Sequence, residues 1–143
     1  MKFVRWIYFV AGIYGLIVIL PMYFSEYQIG LSFPPEITHP EYFYGFLGVT
    51  LAWQIAFFII AINPLRYRLI MIPAIIEKIA YSSAVIILFV QERIAVMMLS
   101  AGIIDAVFGI LFIAAFFKTK EEKQEEPEEI VTEIIEEEQN NSL

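Results

Sequence analysis

Three ionisable side chains stand inside stretches that are otherwise apolar. Glu77 and Lys78 interrupt an uncharged run over residues 69–90, and Asp105 interrupts another over 94–117. A charge at the centre of a bilayer helix costs about 2.5–3.5 kcal/mol on insertion scales. Such groups therefore face a bundle interior or water, where they pair, bind or carry protons. A rise of about 1.5 Å per residue from the helix ends puts Glu77 about 12 Å deep, Tyr14 and Gln54 about 16–17 Å and Asp105 about 18 Å. Thr50, Tyr81, Ser82 and Ser83 fall at related depths. Four segments thus bring polar groups to one central slab.

Helical periodicity assigns these groups to faces. Arg66, Ile70, Pro73, Glu77, Tyr81 and Ala84 share one stripe, and Met98, Ala101, Gly102, Asp105, Gly109 and Phe112 share another. The second stripe is small around its acid, which lets a neighbouring helix come close. Phe43, Leu47, Thr50, Gln54 and Phe58 align on a third. Glu77, Asp105 and Gln54 are therefore expected to point inward around one site. Lys78 stands 100° from Glu77, so their adjacency is not expected to make a salt bridge. Side chains lean toward the helix N-terminus. Glu77 and Lys78 then tilt one way and Asp105 the other, and a direct Lys78–Asp105 pair requires helix tilt.

Two readings of the slab stay open. The polar groups can be interhelical glue, worth about 0.6 kcal/mol per hydrogen bond on average, which suffices only if the charges neutralise one another. Alternatively Glu77, Asp105, Gln54, Lys78, Tyr14 and Tyr81 line a cavity for a small amphiphile, a lipid or a proton-linked solute, with Glu77 the titrating group. An enzyme acting on a membrane-embedded substrate, with Glu77 and Asp105 as acid and base, ranks third. The chain has no cysteine and one histidine, His39. That removes thiol redox chemistry and Cys-ligated metal, and argues against a His-rich centre or a Ser-His-Asp triad on one chain. No metal or cofactor is expected.

The elements that must position these residues follow from the apolar runs. The 143 residues are 59% hydrophobic and 17% charged, against about 45–50% and about 25% in a soluble domain. Residues 6–25, 42–65, 69–90 and 94–117 are each free or nearly free of charge. About 20 such residues are needed for a helix to cross the hydrocarbon core. The expected fold is all-α: a four-helix transmembrane bundle over 1–117, with helices at about 3–23, 42–63, 67–90 and 94–117. Lys2 and Arg5 before the first run resemble a signal peptide, but Pro21-Met22-Tyr23-Phe24 offers no small-residue cleavage site, so a retained anchor is expected. Lys2, Arg5, Arg66, Arg68, Lys118, Lys120 and Lys123 fall on one side and Arg93 on the other. By the positive-inside rule both termini are cytoplasmic, with Arg5, Arg66 and Arg68 as topology anchors. A bacterial cytoplasmic membrane is the expected location.

Short connections make helices 2, 3 and 4 expected antiparallel neighbours. The longer loop over about 24–41 is broken by Pro34, Pro35 and Pro40. With Tyr23, Phe24, Tyr27, Phe33, Tyr42, Phe43 and Tyr44 it reads as a segment anchored across the outer mouth, or as a substrate lid. Residues 1–117 carry six basic and six acidic groups, whereas 118–143 carry three lysines and ten glutamates, so the net charge of −7 belongs to the tail. No basic face for nucleic acid exists. The tail is expected to be disordered and cytoplasmic, or to form a docking helix from Pro127 with Ile130, Val131, Ile134 and Ile135 on one face. The partners this leaves are membrane lipid, a small amphiphile, a protein held through the tail, and a second copy of the chain. A non-catalytic assembly or scaffold subunit is the alternative function.

The stretches YFYGFLGVTLAWQ, NPLRYRLIMIPAIIEK and GIIDAVFGILF, across about residues 40–115, resemble a group of small uncharacterised bacterial four-helix membrane proteins, similar in layout to DoxX-like proteins. The positions carrying the resemblance are Gly45 to Gly48, Trp53 and Gln54, Arg66 to Arg68, Glu77 and Lys78, and Asp105. The resemblance implies the four-helix layout and brings no activity with it.

Overall fold

The structure, a computed structural model, describes residues 1–34 and 36–141, with side chains as far as residue 120. Among the described residues there are five α-helices and no strand: α1 (Lys2–Met22), α2 (Glu26–Ser32), α3 (Pro40–Ile62), α4 (Met71–Val90, preceded by a 3-10 turn over Arg68–Ile70) and α5 (Val96–Asn141). Four segments are long and apolar enough to cross a membrane: Lys2–Met22, Pro40–Ile62, Arg68–Val90 and Val96–Lys120. α5 runs on through residues 121–141, where the sequence leads one to expect a disordered tail or a separate helix from Pro127; the side chains there, and with them the expected docking face, lie outside the described residues.

The helix ends follow from local chemistry. Past Pro21 the first helix stops, and the Ser25 hydroxyl donates to the Pro21 carbonyl at 2.8 Å, satisfying one of the acceptors that a helix end leaves open. α3 opens with Pro40 in its first turn, where a missing N–H costs nothing. It ends at Asn63, extended at φ −144° and ψ 86° because Pro64 follows. The Asn63 side chain then accepts from the Arg66 amide at 3.1 Å and shapes the turn into α4. At the far end of α4, Glu92 takes a left-handed conformation with φ 58°. Its amide donates to Phe89 at 2.9 Å, and that of Arg93 donates to Leu88 at 2.9 Å. This is a Schellman closure, usually built on glycine.

α1 packs chiefly against α3, and α4 against α5, while α1 also meets α5. Helices α3 and α4 scarcely touch. The expected contact between helices 2 and 3 is thus nearly absent: a short connection joins their ends, but α1 and α5 supply the walls between them. The packed core occupies the half of the bundle that holds the N-terminus and the α3–α4 connection. There Tyr8 stacks on Phe112, with centroids 4.1 Å apart, and Phe57 meets Phe112 edge-on at 5.1 Å. Val4, Ile7, Ala11, Ile60, Met71, Ala74 and Ala115 close around these rings. Packing continues to Thr119, which is buried, donates to Ala115 at 3.0 Å and lies 3.8 Å from the Met71 sulfur.

The outward faces are apolar as well. Ile17 and Ile110 are each 68% exposed and Val49 is 63% exposed. A water-facing surface would carry polar groups at such positions, and large contiguous apolar patches of this kind mark contact with something other than water.

Candidate functional site

The other half of the bundle is open. A cavity of about 400 Å³ lies there, within the usual range of small-molecule sites, about 300–1,000 Å³. All six residues singled out above, Glu77, Asp105, Gln54, Lys78, Tyr14 and Tyr81, line it. Thr50 and Ser100 are the further hydroxyls on its wall. Val18, Ile19, Met22, Phe46, Met97, Met98 and Phe108 supply apolar surface, and Ile29 and Phe33 bring in α2 and its C-terminal cap.

Lys78 is the centre of the polar end. Its ammonium donates to Asp105 Oδ2 at 3.0 Å, joining α4 to α5. The same nitrogen stands 3.2 Å from Glu77 Oε2 and donates to Oε1 at 3.5 Å. The nearer oxygen lies off the hydrogen-bonding direction, so Oε2 is buried without a hydrogen-bond partner. The ammonium also lies 5.4 Å from the centroid of the Phe57 ring, within cation–π range. Its four-carbon stem lets it sit beneath two carboxylates at once, with the packed aromatic core below.

Two expectations are corrected here. Lys78 does bridge Glu77, because a lysine stem curls around the helix far enough to cancel the 100° between their Cα–Cβ directions. The buried face of α4 is also rotated by one residue from the expected stripe. Met71, Ala74, Lys78, Ser82 and Val85 are buried, whereas Pro73 and Ala84 are exposed and Glu77 and Tyr81 stand at the edge. Pairing Lys78 with Asp105 accounts for the rotation. The lysine takes the innermost position, and Ser82 beside it satisfies its hydroxyl by donating to the Lys78 carbonyl at 2.7 Å.

On α5 the small stripe is where the sequence places it: Gly102, Asp105, Gly109 and Phe112 are buried. On α3, Leu47 and Gln54 are buried, with Phe57 rather than Phe58 the fully buried ring. Gln54 donates through Nε2 to the Thr50 carbonyl at 2.9 Å, and its carboxamide lies against α1 at Gly15, where a Cβ would overlap it. Gly15 and Phe57 are functional neighbours that the sequence reading missed. The Ala11-to-Gly15 spacing was the available signal for the first.

The three arginines expected as topology anchors, Arg5, Arg66 and Arg68, are not among the residues lining this cavity. The Arg68 guanidinium stacks 3.8 Å from the Phe116 ring centroid and donates to the Phe116 carbonyl at 3.4 Å, tying the start of α4 to α5. Arg66 is exposed, 5.6 Å from the centroid of Tyr67. Arg5 borders a separate apolar groove between α1 and α3, lined by Trp6, Phe9, Phe58, Ala61 and Ile62.

Chemically, the site offers acceptors and hydroxyls above a fully engaged cation. Among the described residues no group of three or more His, Cys, Asp or Glu side chains could hold a metal ion. Protein-family models, curated proteins and solved structures provide no match to the chain.

Proposed function

We propose that the chain is a multi-pass protein of a bacterial cytoplasmic membrane, with both termini cytoplasmic, whose cavity binds a small amphiphile. One observation carries this reading: six polar side chains from four helices line one cavity, and the rest of its wall is mostly apolar, with Thr50 and Ser100 the other hydroxyls. That mixed wall matches a molecule with a polar head and a short apolar body. It also favours binding over interhelical glue. Glue groups would exhaust their hydrogen bonds on one another, whereas Glu77 lines the cavity with one buried oxygen left without a hydrogen bond. Lys78–Asp105 joins α4 and α5, a pair already packed through Gly102 and Val85.

In the same reading α2 and Phe33 lie across the mouth, and Arg5, Arg66 and Arg68 mark the cytoplasmic side. Native mass spectrometry of gently extracted protein tests the binding. Wild type retaining a small mass that Glu77→Ala loses is the expected result. Identical bare masses for both proteins would overturn the reading.

A further inference from the structure

We infer that the cavity selects a ligand whose head group is cationic, a protonated amine, and that Glu77 is the residue that receives it. The inference rests on the amphiphile reading and adds its charge class.

The polar end holds one ammonium and two carboxylates, so with all three ionised the cluster carries one excess negative charge. An uncompensated charge in a low-dielectric interior is costly, and the deficit is met by a cation or by a proton. Lys78, the one cation among the described residues lining the cavity, is not available to a ligand. Lys78 is 6% exposed, and its ammonium is engaged by Asp105, by Glu77 and by the face of Phe57. An anionic head group entering here would meet two carboxylates and, among the described residues lining the cavity, no free cation.

A protonated amine meets the opposite situation. Glu77 lines the cavity, and its Oε2, 3.2 Å from the Lys78 ammonium, is buried without a hydrogen-bond partner. A charge-assisted bond to it is among the stronger kinds and also brings the cluster to neutrality. Tyr14 and Tyr81 line the same cavity, and aromatic faces attract cations within about 6 Å of their centroids. Above them Val18, Ile19, Met22, Phe46 and Met98 offer a wall for an alkyl chain. Lys78 thus acts as a structural counter-ion that holds the two carboxylates together and leaves one charge for the ligand.

The test is a head-group series on the full-length protein in zwitterionic lipid nanodiscs at neutral pH. Dodecylamine, dodecanol and dodecanoate share a twelve-carbon skeleton and carry a cationic, a neutral and an anionic head group, and native mass spectrometry counts molecules bound one per chain. Dodecylamine is expected to bind about tenfold or more tightly than either competitor. In Glu77→Gln, shown to be folded by an unchanged thermal midpoint, that preference is expected to disappear. Equal or tighter binding of dodecanol or dodecanoate to the wild type overturns the charge class and leaves the amphiphile site standing. Failure of all three to bind overturns both. Because the wild-type series alone decides the charge class, a poorly folding variant does not rescue the inference.

Discussion

Lys78 pairs with two carboxylates inside the bundle, and its removal has a consequence specific to that geometry. Lys78→Met leaves Glu77 and Asp105 side by side without a counter-charge. Breaking one partner out of a buried ionic cluster costs about 3–5 kcal/mol, so the thermal midpoint of this variant is expected to fall sharply. Adding Asp105→Asn to Lys78→Met is expected to recover part of the loss, and no recovery would show that the pair does not carry the stability. Gly15 makes a second prediction at this scale. A methyl there displaces the Gln54 carboxamide from the Thr50 carbonyl, so Gly15→Ala is expected to cost about 1 kcal/mol, the worth of that hydrogen bond, with the cost absent in a Gln54→Ala background in a double-mutant thermal melt. Which residues turn inward was legible for Asp105 and Gln54, because small or apolar neighbours at helical spacing define their faces. It was less legible on α4. Glu77 and Lys78 are adjacent, and periodicity alone does not say which of two neighbouring polar residues takes the innermost position. The long lysine stem decides that, by reaching Asp105 on another helix.

At the scale of the elements, the tight pairing of α4 with α5 depends on Gly102, where an added Cβ would lie 2.6 Å from Val85 Cγ1. Gly45, in contrast, has nothing within 4 Å of the equivalent point. Gly102→Ala is expected to lower the thermal midpoint, Val85→Ala to relieve it in the double variant, and Gly45→Ala to leave the midpoint unchanged or raise it, since alanine is the better helix former. The end of α4 carries a reverse case. Glu92 sits at φ 58°, a conformation that costs a residue with a side chain roughly 1–2 kcal/mol. Glu92→Gly is therefore expected to stabilise by about 0.5–1 kcal/mol once the greater chain entropy of glycine is subtracted. The four long helices were legible from apolar run length. The short helix α2 was not, since seven residues, Glu26–Ser32, before a proline-rich stretch carry too little periodicity to announce a helix. The slight contact between α3 and α4 was also hidden, because a short connection fixes only where two helix ends meet.

For the whole molecule, the arrangement divides the bundle into a packed half around Tyr8, Phe57 and Phe112 and an open half above Lys78. The proposed orientation places the packed half on the cytoplasmic side. The natural chain has no cysteine, so single replacements give clean reporters. In sealed right-side-out vesicles an impermeant maleimide is expected to label Gln91→Cys and to spare Leu65→Cys, and the reverse pattern would invert the topology. The central claim is that the open half holds a ligand against Glu77. A side-chain-resolution map of the protein in a lipid nanodisc tests this most directly. The account predicts separate, elongated density in the cavity, with one end at hydrogen-bonding distance from Glu77 and the body along Val18, Phe46 and Met98. A cavity closed by its own side chains, with Glu77 turned toward the lipid, would contradict it.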